Sequence, residues 1–271
     1  MADARWAADI RRESERPAGD WGARPGAVGA GRPRLNILGE DGIHFAGRQS
    51  ERMAPRAAEL LAFVHLSHRQ EVRRPAVLRA LWPEEEPRTA RRRLSRLLWR
   101  CGHVLPPGLL TVDGESIALD RTLDSDHQGA QAAIDRILAG ETPGEFDIRI
   151  LHRRLLTDVT AEWTEEHRSY YDRRRTRALE KATEMLLRRN QAAPALLHAA
   201  FLSEWQPLNE NARQLLFRAL LMDGAPGRAL EVFRAYQHTL RKELGAEPGA
   251  EFRDMARNAE LGSRRPTLVC R

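Results

Sequence analysis

Apolar residues between positions 35 and 120 follow a strand-like pattern at both ends and a helical one in between. The stretches LNILG (35–39) and IHFAG (43–47), set around Glu40-Asp41-Gly42, predict a small antiparallel hairpin. Met53, Ala57, Leu60, Leu61 and Val64 then fall at helical spacing, with Pro55 where a first turn accepts it. A second, shorter helix is predicted in RRPAVLRALWP, where Val77, Leu78, Leu81 and Trp82 share a face and Pro83 ends it. Glu84-Glu85-Glu86 forms a connecting loop, and a third helix over 87–102 carries Ala90, Leu94, Leu97 and Cys101 on one stripe before stopping at Gly102. LLTVDGESIALD (109–120) predicts a second hairpin flanking Asp113-Gly114, so the expected order is hairpin, three helices, hairpin.

From Ser125 onward the pattern turns to long helical segments with short Gly/Pro breaks, placing a domain boundary near residue 122. LLRRNQAAPALL from Leu186 aligns with LLMDGAPGRALE from Leu220, an offset of 34 residues that matches Leu187 to Leu221, Ala195 to Ala229 and Leu196 to Leu230. That period, with a small residue early in the second helix, is what tetratricopeptide-like helix pairs require, since close packing leaves room only for a short side chain. The expected fold is mainly α. It comprises a disordered arm at 1–33, a three-helix domain with small hairpins at 34–122, a helical-repeat domain at 123–262 and a tail at 263–271.

Composition removes several classes of function. The two cysteines, Cys101 and Cys270, supply neither a disulfide framework nor a zinc-binding spacing, and the scattered histidines lack the paired spacing of a helical zinc hydrolase. Glu165-Glu166-His167 reads as a solvated helix face. Lys181 and Lys242 are the only lysines and neither follows a glycine-rich loop, which excludes a Walker-type phosphate site. No apolar run approaches the roughly 18 residues of a membrane span, and the N-terminus lacks a signal-peptide core, so a soluble, cytoplasmic protein is expected. With no nucleophile–base pair, metal or cofactor site, no enzyme activity is expected.

The feature that points to chemistry lies between Arg88 and Arg100: six arginines (Arg88, Arg91, Arg92, Arg93, Arg96, Arg100) and no acid, on one predicted helix. Arg88, Arg92, Ser95 and Arg96 lie opposite the apolar stripe. Arginine's planar fork can chelate the guanine edge or pair with phosphate oxygens, so this face suits duplex DNA. Its place, third after a shorter helix and just before a hairpin, is the layout in which a recognition helix enters the major groove. The candidate DNA-binding residues are Arg88, Thr89, Arg91, Arg92, Arg93, Ser95, Arg96 and Arg100, the recognition helix spanning 87–101. The formal net charge of +6 accommodates a polyanionic partner. Trp82 and Cys101 read as packing residues, Trp99 lies nearer the arginine face, and Arg173, Arg174, Arg175 and Arg177 read as exposed ion-pairing residues.

RTARRRLSRLLWRC resembles the recognition helix of OmpR-type winged helices, and LRALWPEEEPRTARRRLSRLLWR resembles the variant in the actinobacterial antibiotic regulatory protein family. LLTDVTAEWTEEHRSYYDRRRTRALE (155–180) and FRAYQHTLRKELGAEPGAEF (233–252) are similar to that family's bacterial transcriptional activation domain. The resemblance implies an activator of a biosynthetic gene cluster. It would bind direct repeats in promoter DNA, often as a side-by-side homodimer, and contact RNA polymerase. One departure bears on this: where family wings end in a Gly-Tyr-Arg-Leu-like strand, this chain reads Glu115-Ser116-Ile117-Ala118-Leu119, with Asp113 and Glu115 near the tip. Negative charge there repels phosphate. It motivates the alternative of a protein-interaction scaffold or anti-activator whose winged helix no longer reads DNA.

Overall fold

The computed structural model describes residues 34–39, 44–46 and 54–263. The arm expected at 1–33, the Glu40-Asp41-Gly42 turn, Met53 and residues 264–271 lie outside them. The elements in chain order are β1 (Arg34–Asn36), β2 (His44–Ala46), α1 (Pro55–Leu66), a 3-10 turn (His68–Gln70), β3 (Glu71–Arg73), α2 (Arg74–Leu81), α3 (Pro87–Val104), β4 (Leu110–Asp113), β5 (Ser116–Leu119) and β6 (Asp124–Ser125). Helices follow throughout: α4 (Asp126–Ala139), α5 (Glu145–Ile150), α6 (Trp163–Arg188), α7 (Ala192–Trp205), α8 (Glu210–Met222), α9 (Pro226–Leu244) and α10 (Ala250–Ser263). The described residues divide into two compact units, one holding those up to Ala132 together with 153–173, the other 133–152 with 174–263.

In the first unit the apolar periodicity produces the expected helices, each placing its stripe inward. Leu60, Leu61 and Val64 of α1, Val77 and Leu81 of α2, and Ala90, Leu94, Leu97, Leu98 and Cys101 of α3 are buried. Trp82 is also buried, as expected. Beside the helices lies a three-stranded antiparallel sheet of order β3-β5-β4, in which Val72 faces Ile117 and Asp113 faces Ser116. The central strand contributes Ile117 and Leu119 to the core. Two details differ from the sequence pattern. The two-residue link of the β4–β5 hairpin is Gly114-Glu115 rather than Asp113-Gly114, with Gly114 taking the positive φ of 52°. Helix α3 also passes through Gly102 and ends at Val104. Gly102 keeps helical geometry, and the stop comes from Pro106, which holds the preceding Leu105 extended at φ −81°, ψ 152°.

A second small sheet, of order β2-β1-β6, closes this unit, β1 running antiparallel to β2 and parallel to β6. The buried Asp126 carboxylate anchors it, accepting the Ile37 and Leu38 amides at 2.9 and 3.0 Å. Burial pushes this carboxyl's pKa up, against those two amides and the nearby Arg34 and Arg153. Segment 37–39 is also tied to 154–157, the Gly39 amide donating to the Arg154 carbonyl at 2.8 Å and the Leu156 amide to that of Ile37 at 2.9 Å. Ser125 and Gln128 form a reciprocal cap at the start of α4, and the Ser125 hydroxyl also meets Nε2 of the buried His65 at 2.8 Å.

The second unit is helical, and the 34-residue offset appears in its backbone. Asn190 and Gly224 both take a left-handed conformation, φ 56° and 76°. The Gln191 amide donates to the Leu186 carbonyl at 3.0 Å, and the Ala225 amide to that of Leu220 at 2.9 Å. Helices α7 and α9 then start at equivalent residues, Ala192 and Pro226. Ala195 and Ala229 are both fully buried, as tight helix packing demands. The equivalence is incomplete at Leu187, which is buried, while Leu221 is exposed. Near the C-terminal end, Phe252 of α10 lies edge-on to Phe217 and to Phe233 at 5.5 and 5.0 Å.

Arg175 overturns an expectation. Rather than an exposed ion-pairing residue it is fully buried, its guanidinium 3.6 Å from the Trp205 ring and donating to the Leu151 carbonyl at 3.2 Å. It falls on the inward row of α6 with Ala178, Leu179 and Ala182, so helix geometry carries it inside. Its neighbour Arg174 does pair, with Asp135.

Two predictions arise from this packing. Burial lowers the pKa of His65 and of His198 from the ordinary 6.5 to about 4. Both are neutral in the fold and take up protons on unfolding, so their stability contribution is complete above pH 6.5 and is lost as pH falls toward 4. Denaturant midpoints should drop across that window by the equivalent of about 3 kcal/mol per histidine at most, and a His65→Gln protein should show a shallower fall. Separately, Leu94→Ala should destabilise the fold by about 3 kcal/mol, whereas Arg92→Ala on the opposite side of α3 should change it by less than about 0.5 kcal/mol.

Candidate nucleic-acid interface

The rotation of α3 about its own axis is set by its buried stripe. With Ala90, Leu94, Leu97, Leu98 and Cys101 turned inward, every candidate residue emerges on the surface. Arg88, Thr89, Arg91, Arg92, Arg93, Ser95, Arg96 and Arg100 are all exposed. Arg88, Arg92, Ser95 and Arg96 lie along the centre of the outward face, with Arg91 on one flank and Thr89, Arg93 and Arg100 on the other.

The start of this helix carries a device the sequence pattern concealed. Glu86 is its N-cap, accepting the Thr89 amide at 3.0 Å, and Pro87 occupies the first turn. The bonds from the Arg88 and Thr89 amides hold the Glu86 carboxyl below its ordinary pKa. The Thr89 hydroxyl also reaches this carboxylate, at 3.4 Å, and Glu85 pairs with Arg93. Two of the eight candidates, Thr89 and Arg93, are therefore engaged locally. Among the described residues, Arg88, Arg91, Arg92, Arg96 and Arg100 have no ion pair. The Glu-Pro pair ahead of an arginine-rich run is the signal that identifies this cap.

Cys101 is buried in the stripe, and burial pushes its thiol up to about 11, so it stays protonated and unreactive in the fold. The β4–β5 hairpin exposes Asp113 and Glu115 at its tip. Arg74, at the start of α2, sits beside them, its Nε donating to the Gly114 carbonyl at 2.9 Å and its amide to that of Glu115 at 2.8 Å. The tip therefore carries a cation that the hairpin's own sequence does not show. Strand β3 leads directly into Arg74, and with only Val72 apolar among its three residues it has no periodic signal of its own.

Trp99, which the sequence places near the arginine face, stands at the far end of that face. Trp99 is 66% exposed and the His103 ring packs against it at a tilt of 42°, ring centroids 4.1 Å apart, with His103 Nδ1 donating to the Trp99 carbonyl at 2.7 Å. Spacings of four and seven residues from Arg92 put Arg96 and Trp99 on its row, which is the signal that locates the indole. Among the described residues no group of His, Cys, Asp and Glu could hold a metal ion, and no helix is long and apolar enough to cross a membrane.

Comparison with known proteins gives this geometry a setting. Residues 151–259 match the family model of the bacterial transcriptional activator domain. Regulatory protein AfsR of Streptomyces griseus is 26% identical over 213 residues, which cover 74% of this chain and 22% of AfsR. Transcriptional regulator RedD of Streptomyces coelicolor is 35% identical over 98 residues, 36% of this chain and 27% of RedD. The chain thus spans less than a third of the length of either relative. The solved structure of Mycobacterium tuberculosis EmbR, in complex with a low-affinity phosphopeptide, shares the fold with a TM-score of 0.66 at 19% identity, over 85% of this chain and 65% of that one. Residues 151–259 are therefore similar to the bacterial transcriptional activator domain, in a chain similar to regulatory proteins of Streptomyces.

Proposed function

We propose that this protein is a sequence-specific DNA-binding regulator of transcription that activates a biosynthetic gene cluster. Residues 34–122 act as an OmpR-type winged helix, α3 lies in the major groove, and the β4–β5 hairpin is the wing. Residues 123–262 act as the activation domain, pairing two copies on promoter repeats or meeting RNA polymerase. The observation that carries this reading is the outward arginine row of α3, which is exposed and in no ion pair among the described residues, Glu86 acting on Arg92 only from a distance. In a duplex they would find phosphate oxygens and guanine edges. Similarity to a named transcriptional regulator supports the same assignment.

One observation favours a second reading, that of a scaffold or anti-activator: the acidic tip of the hairpin, Asp113 and Glu115, would face phosphate if the wing met the backbone. Arg74 beside that tip weighs against it.

The affinity of the full chain for duplex DNA should fall steeply with salt. Replacing Arg88, Arg92 and Arg96 together by alanine should flatten the slope of log K against log salt by about 0.9 for each phosphate no longer neutralised. An arginine that reads a base should instead cost about 1 to 3 kcal/mol on the preferred site and relax discrimination. Binding by the triple variant equal to that of the parent would end the assignment, and capture of a protein partner without DNA retention at low salt would move it to the scaffold reading.

A further inference from the structure

We infer that Trp99 is a second DNA-contacting element of α3, seated on the sugar–phosphate backbone at the edge of the groove rather than on base edges. This inference rests on the proposed function and adds an interaction of different chemistry. A large indole exposed to 66% is unusual in a row of arginines, and among the described residues nothing accepts its Nε1–H. The side chain is held in place: the His103 ring packs against it at a tilt of 42°, centroids 4.1 Å apart, and is pinned through Nδ1 to the Trp99 carbonyl, so the indole does not fold back onto the core.

Length decides what it touches. Eleven residues separate Arg88 from Trp99, or about 16 Å along the axis at 1.5 Å per residue. The major groove is only about 12 Å wide. A helix whose N-terminal turns meet base edges, as recognition helices do, therefore carries Trp99 past the groove wall. At that level an indole covers deoxyribose with its apolar face and donates Nε1–H to a phosphate oxygen. Neither interaction depends on base identity.

The test uses the full chain and two probes, a mixed-sequence 30-base-pair duplex at low salt and a genomic fragment selected by the parent protein. Trp99→Ala should weaken both by a similar factor, roughly fivefold, the equivalent of one hydrogen bond with its apolar cover. Trp99→Phe, which keeps the ring and removes the donor, should fall between. Because the indole is exposed, helical content and thermal midpoint should stay at the parent values, which separates a binding defect from a folding defect. Unchanged affinity of Trp99→Ala, beside loss of binding in the triple arginine variant, would overturn the inference while leaving the function intact. Weakening on the selected fragment alone would overturn the backbone placement in favour of base reading. No binding by the parent protein to either probe would remove the proposed function, and this inference with it.

Discussion

Burial of one stripe on α3 is the constraint from which the rest of the interface follows. Ala90, Leu94, Leu97, Leu98 and Cys101 can leave water only by turning toward the first unit's core, and a helix has one rotation that satisfies all five. That rotation leaves the guanidinium groups of the arginines solvated. Glu86 fixes where the helix begins, and Pro106, acting through Leu105, fixes where it ends. The basic face is thus positioned chiefly by apolar packing and capping, with the side chains of Thr89 and Arg93 alone among the eight candidates tied to Glu86 and Glu85. That leaves its cations available to a polyanion.

The two units are built on different physical rules. In the first, short strands depend on partners distant in sequence: β3 on β5, and the 37–39 segment on Asp126 and on 154–157. In the second, a local rule is used twice, a left-handed residue at 190 and 224 followed by a helix with an alanine buried near its start. The exposure of Leu221, against the burial of its counterpart Leu187, marks where the two copies cease to be equivalent.

Much of this was legible in the sequence wherever a periodic signal ran for two turns or more. The stripes of α1, α2 and α3 could be read directly, as could the exposure of the eight candidate residues and the offset of 34. What was hidden depended on partners or on single residues. Val72 is one apolar residue between two charged ones, so β3 exists only because β5 lies beside it. Gly102 looked like a helix stop, yet a glycine ends a helix only when its φ turns positive, and here the proline four residues on sets the end instead. The charge of the run at 173–177 drew attention away from its geometry, in which Arg175 belongs to the inward row of α6. Trp99 was visible as a tryptophan near arginines. Its orientation follows only once the buried stripe fixes the helix's rotation.

The most direct test of the central claim is recovery of sheared genomic DNA by the purified full chain at about 150 mM salt, where weak electrostatic sticking is largely screened. The account predicts a few discrete fragments sharing a repeated sequence, and their disappearance when the α3 arginines are replaced by alanine. Uniform recovery across the genome, or none, would contradict it.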